Sequence, residues 1–275
     1  MKRPEIGVIT RLLPDASDLR AVAAFGLPCA QVCCWNKDLC SLELARKVKQ
    51  TAAECGVRLT AFWGGYSGPA AWNFTRGPVT LGIVPPTYRQ MRIEQLCRWA
   101  DFAAEAGAPA IITHFGFLPE NMTDPEFEPV AVAIDEIASY CKRLGLGFWF
   151  ETGQETPVTL LRFIEEVGLD NLGINLDPAN LILYGKGNPI DALHVFGKYV
   201  RAIHAKDGCP PTTGTALGPE VKVGTGFVRY PEFIPKLLAC GFEGDLTIER
   251  EISGEQQKKD IRDTVAYLQG LLPSA

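Results

Sequence analysis

Short apolar runs and longer amphipathic segments alternate along this chain eight times, and that alternation restricts the fold more than any other feature. The apolar runs fall at residues 6–10, 29–35, 58–63, 110–115, 147–150, 172–176, 200–204 and 245–249, each of strand length. Helical periodicity follows each of them, at 18–25, 42–55, 88–106, 130–144, 159–167, 190–196, 231–240 and 259–271. Gly56 and Gly107 stand where the second and third helices should stop. Parallel strands need helical crossovers, and both faces of a parallel sheet must be covered. Eight strand–helix units with no linker between them predict an α/β fold, a (β/α)₈ TIM barrel, as one domain over residues 1–275. An open doubly wound sheet would carry a glycine-rich phosphate turn after an early strand, and Gly7-Val8-Ile9 lacks one. The long loops all follow strands, which on a barrel puts them on the catalytic face.

Composition removes several function classes. The net charge is −5 with no long basic run, so a nucleic-acid surface is not expected. No apolar run is long enough to span a membrane, and the segment after Met1-Lys2-Arg3 is too short for a secretory leader. Nine cysteines, mostly in apolar stretches and without a C-x₂-C pair, read as small buried hydrophobes in a cytoplasmic protein.

The last four strands end alike: Phe148-Trp149-Phe150-Glu151, Ile174-Asn175-Leu176-Asp177, Ala202-Ile203-His204 and Leu246-Thr247-Ile248-Glu249. One acid at a strand end is an ordinary helix cap or ion-pair partner. Four ionisable groups at equivalent places in consecutive units, 26, 27 and 45 residues apart, would meet at one barrel mouth. Carboxylates are rarely buried without a partner, so a cation is expected among them. Three carboxylates and an imidazole suit one divalent metal; the oxygen-rich set favours Mn²⁺ or Mg²⁺, with Co²⁺ and Zn²⁺ compatible.

Around these ends the chain resembles the sugar phosphate isomerase/epimerase superfamily, the xylose isomerase-like barrels. Phe150-Glu151-Thr152-Gly153-Gln154-Glu155, Leu176-Asp177-Pro178-Ala179-Asn180, His204-Ala205-Lys206-Asp207, Ile248-Glu249-Arg250-Glu251 and Val223-Gly224-Thr225-Gly226 carry the likeness. The resemblance implies that Glu151, Asp177, His204 and Glu249 hold one metal. From the ketose epimerases of that superfamily it implies that Glu151 and Glu249 act as acid and base. Three departures separate this chain from those epimerases. Asn180 stands where they have a histidine, Pro157 where they have a second glutamate, and an arginine after the histidine ligand is missing, with Lys206 as a stand-in. Endonuclease IV, a trinuclear relative, needs more histidines than His114, His194 and His204.

The expected reaction polarises a carbonyl of a small polyol or keto-sugar, removes the adjacent C–H proton through a glutamate and returns it, giving an isomerase or epimerase. Loss of a hydroxyl from the same intermediate would make a dehydratase or lyase. A non-catalytic sugar-binding subunit is the reading from another class. His114, Gln154, Glu155, Asn180, Lys206, Trp35 and Trp63 are the candidate substrate contacts; a surface ion pair with Asp207 is the plainer role for Lys206. Trp72, Phe74 and Arg76 in the long third loop are candidates for a lid or a homodimer contact, and His194 reads as structural.

Overall fold

The computed structural model describes residues 3–273. Eight parallel strands close a barrel: β1 (Ile6–Arg11), β2 (Cys29–Cys34), β3 (Arg58–Gly64), β4 (Ala110–Thr113), β5 (Gly147–Glu151), β6 (Leu172–Leu176), β7 (Val200–Ala205) and β10 (Leu246–Ile248). Closure is made by β1 against β10, with Gly7 opposite Thr247 and Val8 opposite Ile248. A two-residue antiparallel ladder, β8 (Asp207–Gly208) with β9 (Glu220–Val221), lies in the long loop after β7.

The outer layer consists of α1 (Ser17–Ala24), α2 (Leu42–Cys55), α3 (Pro86–Ala106), α4 (Phe127–Arg143), α5 (Pro157–Val167), α6 (Pro178–Leu183), α7 (Pro189–Phe196), α8 (Tyr230–Ala239) and α9 (Glu255–Leu271). Local chemistry sets several of their ends. The Ser41 hydroxyl accepts the Leu44 amide at 3.2 Å to start α2, and Gly56 ends it at φ 65°, a conformation only glycine adopts freely. Among the nine α-helices of the described residues, α6 is the one that periodicity does not show, because six residues are too few to display a period. Asp177 caps it and Pro178 opens it.

The main core lies between barrel and helices. Trp99 and Phe102 of α3 pack on Phe62, and Phe115, Phe148 and Phe150 form a second aromatic group, all buried. A smaller cluster fills the barrel itself: Ile9, Cys33, Ala61, Trp63, Ala110, Ile112 and Trp149. The Trp149 indole takes space that Gly173 leaves open; a methyl group there would lie 2.7 Å from Trp149 Cδ1. With its floor packed, the barrel is a scaffold rather than a pore, and its C-terminal mouth is where polar groups can gather.

Three predicted strands are shorter than their apolar runs, β2 by its last residue, Trp35. β4 stops at Thr113 and β10 at Ile248, so His114 and Glu249 sit on the first loop residue beyond each strand. Among the described residues, no helix is long and apolar enough to cross a membrane.

Candidate metal centre

Side chains alternate along a strand, so residues two apart share a face. Ile112, Trp149, Asn175 and Thr247 face the interior or its closure, and the residues two further on are His114, Glu151, Asp177 and Glu249. The four residues expected as ligands do converge. One donor atom from each of Glu151, Asp177, His204 and Glu249 lies within 4.8 Å of every other. His204 Nδ1 is 3.0 Å from Glu151 Oε1 and 3.1 Å from Glu249 Oε2. Three of these side chains are essentially sealed, and only Glu249, at 15%, keeps an exposed edge.

Burial would push all three carboxyls up, and their surroundings divide them. His204 and His114 outweigh burial at Glu151 and leave it below its ordinary value. Lys206 and His204 hold Glu249 far below its ordinary value. At Asp177 burial prevails over Lys206, and its pKa stands well above normal. Burial opposes the charged form of His204, yet Glu151 and Glu249 raise its pKa well above the usual histidine range. A proton on Nδ1 thus binds the two glutamates where a cation would.

The residues fit a divalent ion by a second observation. Asp177 Oδ1 accepts the Asn180 amide at 2.9 Å as the cap of α6, but Asp177 Oδ2 is buried with no hydrogen bond. Glu249 Oε2 likewise has no hydrogen bond and relies on charge contacts alone. Buried oxygens of this kind are normally satisfied, so a bound ion would complete both.

Ring orientation at His204 is set by a residue for which no role was expected. His204 Nε2 lies 2.7 Å from Gln31 Oε1, and Gln31 Nε2 donates to Asn175 Oδ1 at 3.1 Å. Because Asn175 takes the amide NH₂, Gln31 can offer His204 only its oxygen. With the two amides in this orientation Nε2 carries a hydrogen, and Nδ1 is the nitrogen turned to the carboxylates. Gln31 is fully buried in mid-β2. A glutamine inside an apolar strand is the one hint the sequence offers, since buried amides need partners.

The other expected contacts divide into groups. Trp63 is buried and its indole N–H donates to Glu151 Oε2, so it positions Glu151 and is more than a wall. His114 Nε2 is 3.5 Å from Glu151 Oε1, and burial lowers its pKa despite that carboxylate. Its ring packs edge-on to Trp63 and Trp72, and Trp72 in turn meets Trp35. The third loop therefore lays Trp72 against the mouth, while Phe74 meets Tyr184 beyond it. Arg76 is exposed on the same loop.

Lys206 does not pair with Asp207. Its ammonium, 3% exposed, lies 2.9 Å from Glu251, 3.5 Å from Glu249 and 3.7 Å from Asp177. Burial disfavours its charge, but Glu249, Asp177 and Glu251 raise its pKa well above the usual value. Asp207 points away and accepts the amides of Gly208, Gly224, Gly226 and Val228 at 2.9–3.1 Å. A side chain at Gly226 would collide with that carboxylate, which explains the Val223-Gly224-Thr225-Gly226 segment.

Asn180 is committed to the scaffold at both ends of its amide, to Thr152 O at 3.2 Å and to Lys206 Nζ at 3.5 Å. Glu155 folds back on the Gly153 amide, and burial pushes its carboxyl up to about 7. Gln154 is buried against Tyr184. Trp35 is 42% exposed at the rim. His194 is exposed on α7 and takes no part in the site.

This barrel and its strand-end ligand set define a class, and comparison with known proteins agrees. Residues 19–271 match the xylose isomerase-like TIM barrel family, and the chain belongs to it. It is 36% identical to a xylose isomerase domain protein from Planctomyces limnophilus, whose solved structure matches with a TM-score of 0.92 over 98% of this chain and 97% of that one. A 3-keto-D-glucoside 4-epimerase from E. coli shares the fold at 17% identity, with a TM-score of 0.72 over 98% of this chain and 100% of its own. An uncharacterised protein of Methanocaldococcus jannaschii is 25% identical over 191 residues, which is 64% of this chain and 60% of that relative.

Proposed function

We propose that the protein is a divalent-metal-dependent isomerase or epimerase of a sugar or inositol-type polyol, with Glu151 and Glu249 as its acid and base. The observation that carries this reading is the convergence of two glutamates and an aspartate on one imidazole nitrogen, with buried oxygens left for a cation. A bound divalent ion, Mn²⁺ by preference for this oxygen-rich set, would supply Lewis-acid polarisation of a substrate carbonyl. Glu249 has the exposed edge needed to meet a substrate C–H. Glu151 is held by Trp63 and His204, an arrangement that fixes its direction. Both are kept ionised at neutral pH, as a base must be. Lys206 would offset negative charge growing on a substrate oxygen, the role in which buried donors contribute most.

Lys206 also favours a second reading. A buried ammonium beside Glu249 can donate a proton to a departing hydroxyl, which would turn the same proton abstraction into a dehydration. The two are separated by incubating the Mn²⁺-loaded protein with ketoses and inososes in D₂O. Deuterium incorporation with unchanged formula means isomerase or epimerase; loss of water means dehydratase. If the protein retains no metal and exchanges no hydrogen on any of these polyols, both enzymatic readings fall and a sugar-binding subunit is left.

A further inference from the structure

Glu249 carries the exposed edge of the centre. That residue lines a cleft of about 880 Å³ together with Arg11, Cys33 and Trp35 at the mouth, the 250–253 loop, and side chains of α1 and α9. Pockets that take drug-sized ligands run roughly 300–1,000 Å³, so this cleft holds more than the reacting carbons of a polyol.

Arg11 is the distinctive group in it. Ile9 packs inside the barrel, so Arg11, two residues on at the end of β1 and opposite Cys33, turns to the same side. The remaining charges of the cleft have partners. Arg250 is bound to Glu220 and Asp260 at 2.9 Å, Lys258 to Glu255 at 2.6 Å, and Glu251 to Lys206 at 2.9 Å. Asp18 is the exception among them: Oδ1 accepts the Leu13 amide at 3.3 Å, while Oδ2 is buried without a hydrogen bond and no cation among the described residues pairs with it. Arg11 makes no side-chain hydrogen bond or ion pair with any described residue.

We infer that Arg11 anchors an anionic substituent, a carboxylate or phosphate, on the non-reacting end of the substrate. This rests on the polyol reading above and narrows it to acidic sugars. A guanidinium presents paired donors matched to such a group, and fixing the far end of a polyol would select which carbon reaches Glu249.

The test is calorimetric binding of D-fructose, D-fructuronate and D-fructose 6-phosphate to the Mn²⁺-loaded protein and to its Arg11→Gln and Arg11→Lys variants. At least one anionic probe should bind about tenfold or more tightly than D-fructose. The ratio should fall below about twofold in Arg11→Gln and recover in part in Arg11→Lys. The better of the two anionic probes identifies the substituent. Equal binding of all three probes, absent binding of both anions, or a preference that survives Arg11→Gln overturns the inference. Hydrogen exchange on each of the three probes is read separately. Exchange without an Arg11-dependent preference removes this inference alone, and preference without exchange removes the enzymatic reading alone.

Discussion

Carboxylates gather at both ends of the barrel. At the N-terminal rim, Glu5 and Asp245 lie beside Cys29, just before or at the starts of β1, β10 and β2. There Arg58, at the start of β3, binds both acids, Asp245 at 2.8 Å and Glu5 in a short contact. At the mouth, Glu151, Asp177 and Glu249 surround His204, and Asp177 Oδ2 and Glu249 Oε2 have no hydrogen bond. The rim satisfies its acids with a cation of the chain. The mouth has Lys206, which lies nearest Glu251, and its four converging side chains are consistent with a second cation, a divalent metal. An acidic cluster alone therefore does not mark a metal site; what distinguishes the mouth is deeper burial and oxygens without donors.

Four changes test that contrast, in order of expected effect. Glu249→Gln should lower hydrogen exchange on the substrate by on the order of 10²–10⁴-fold, measured as deuterium uptake per unit time. Full activity in that variant would remove Glu249 from the chemistry. Gln31→Leu frees the His204 ring and should weaken Mn²⁺ binding by about 10–100-fold, read by calorimetry. The His204 Nε2–H resonance, held by Gln31 in the parent protein, should shift or broaden with it.

At the other end, Arg58→Met should destabilise the fold by about 1–2 kcal/mol in chemical denaturation, because Asp245 is 8% exposed and would lose its partner. Mn²⁺ affinity should not change; a change would mean the two ends are coupled. Asp18→Asn tests an acid that has no cation at all. Burial pushes the Asp18 carboxyl up to about 6 from 3.8, so the native state binds its proton more tightly than the unfolded chain does. Parent stability should then fall as pH rises from about 4 to about 6. The asparagine variant should be about 1–2 kcal/mol more stable than the parent at pH 7, with the gap closing near pH 4.

Much of the mouth was readable from the chain. Strand alternation and a closed eight-unit barrel bring the ends of β5, β6, β7 and β10 to one place, so the sequence alone implies that Glu151, Asp177, His204 and Glu249 meet there. The supporting groups were harder. The sequence offers Trp63 as a substrate contact, but its bond to Glu151 spans 88 residues of sequence. Lys206 reads from the sequence as a site contact or a partner of the adjacent Asp207, yet its ion-pair partner is Glu251, because the loop after β7 draws Asp207 to its own amides.

Fold class and the four residues that meet at the mouth thus follow from the sequence by itself, because both depend on periodicities of two and 3.6 residues and on which residue ends each apolar run. The tautomer of His204, the cation binding the rim acids and the solitary position of Arg11 depend on the closed structure. Gln31 meets Asn175 across 144 residues and His204 across 173, and no local pattern encodes contacts that form only when β1 and β10 complete the ring.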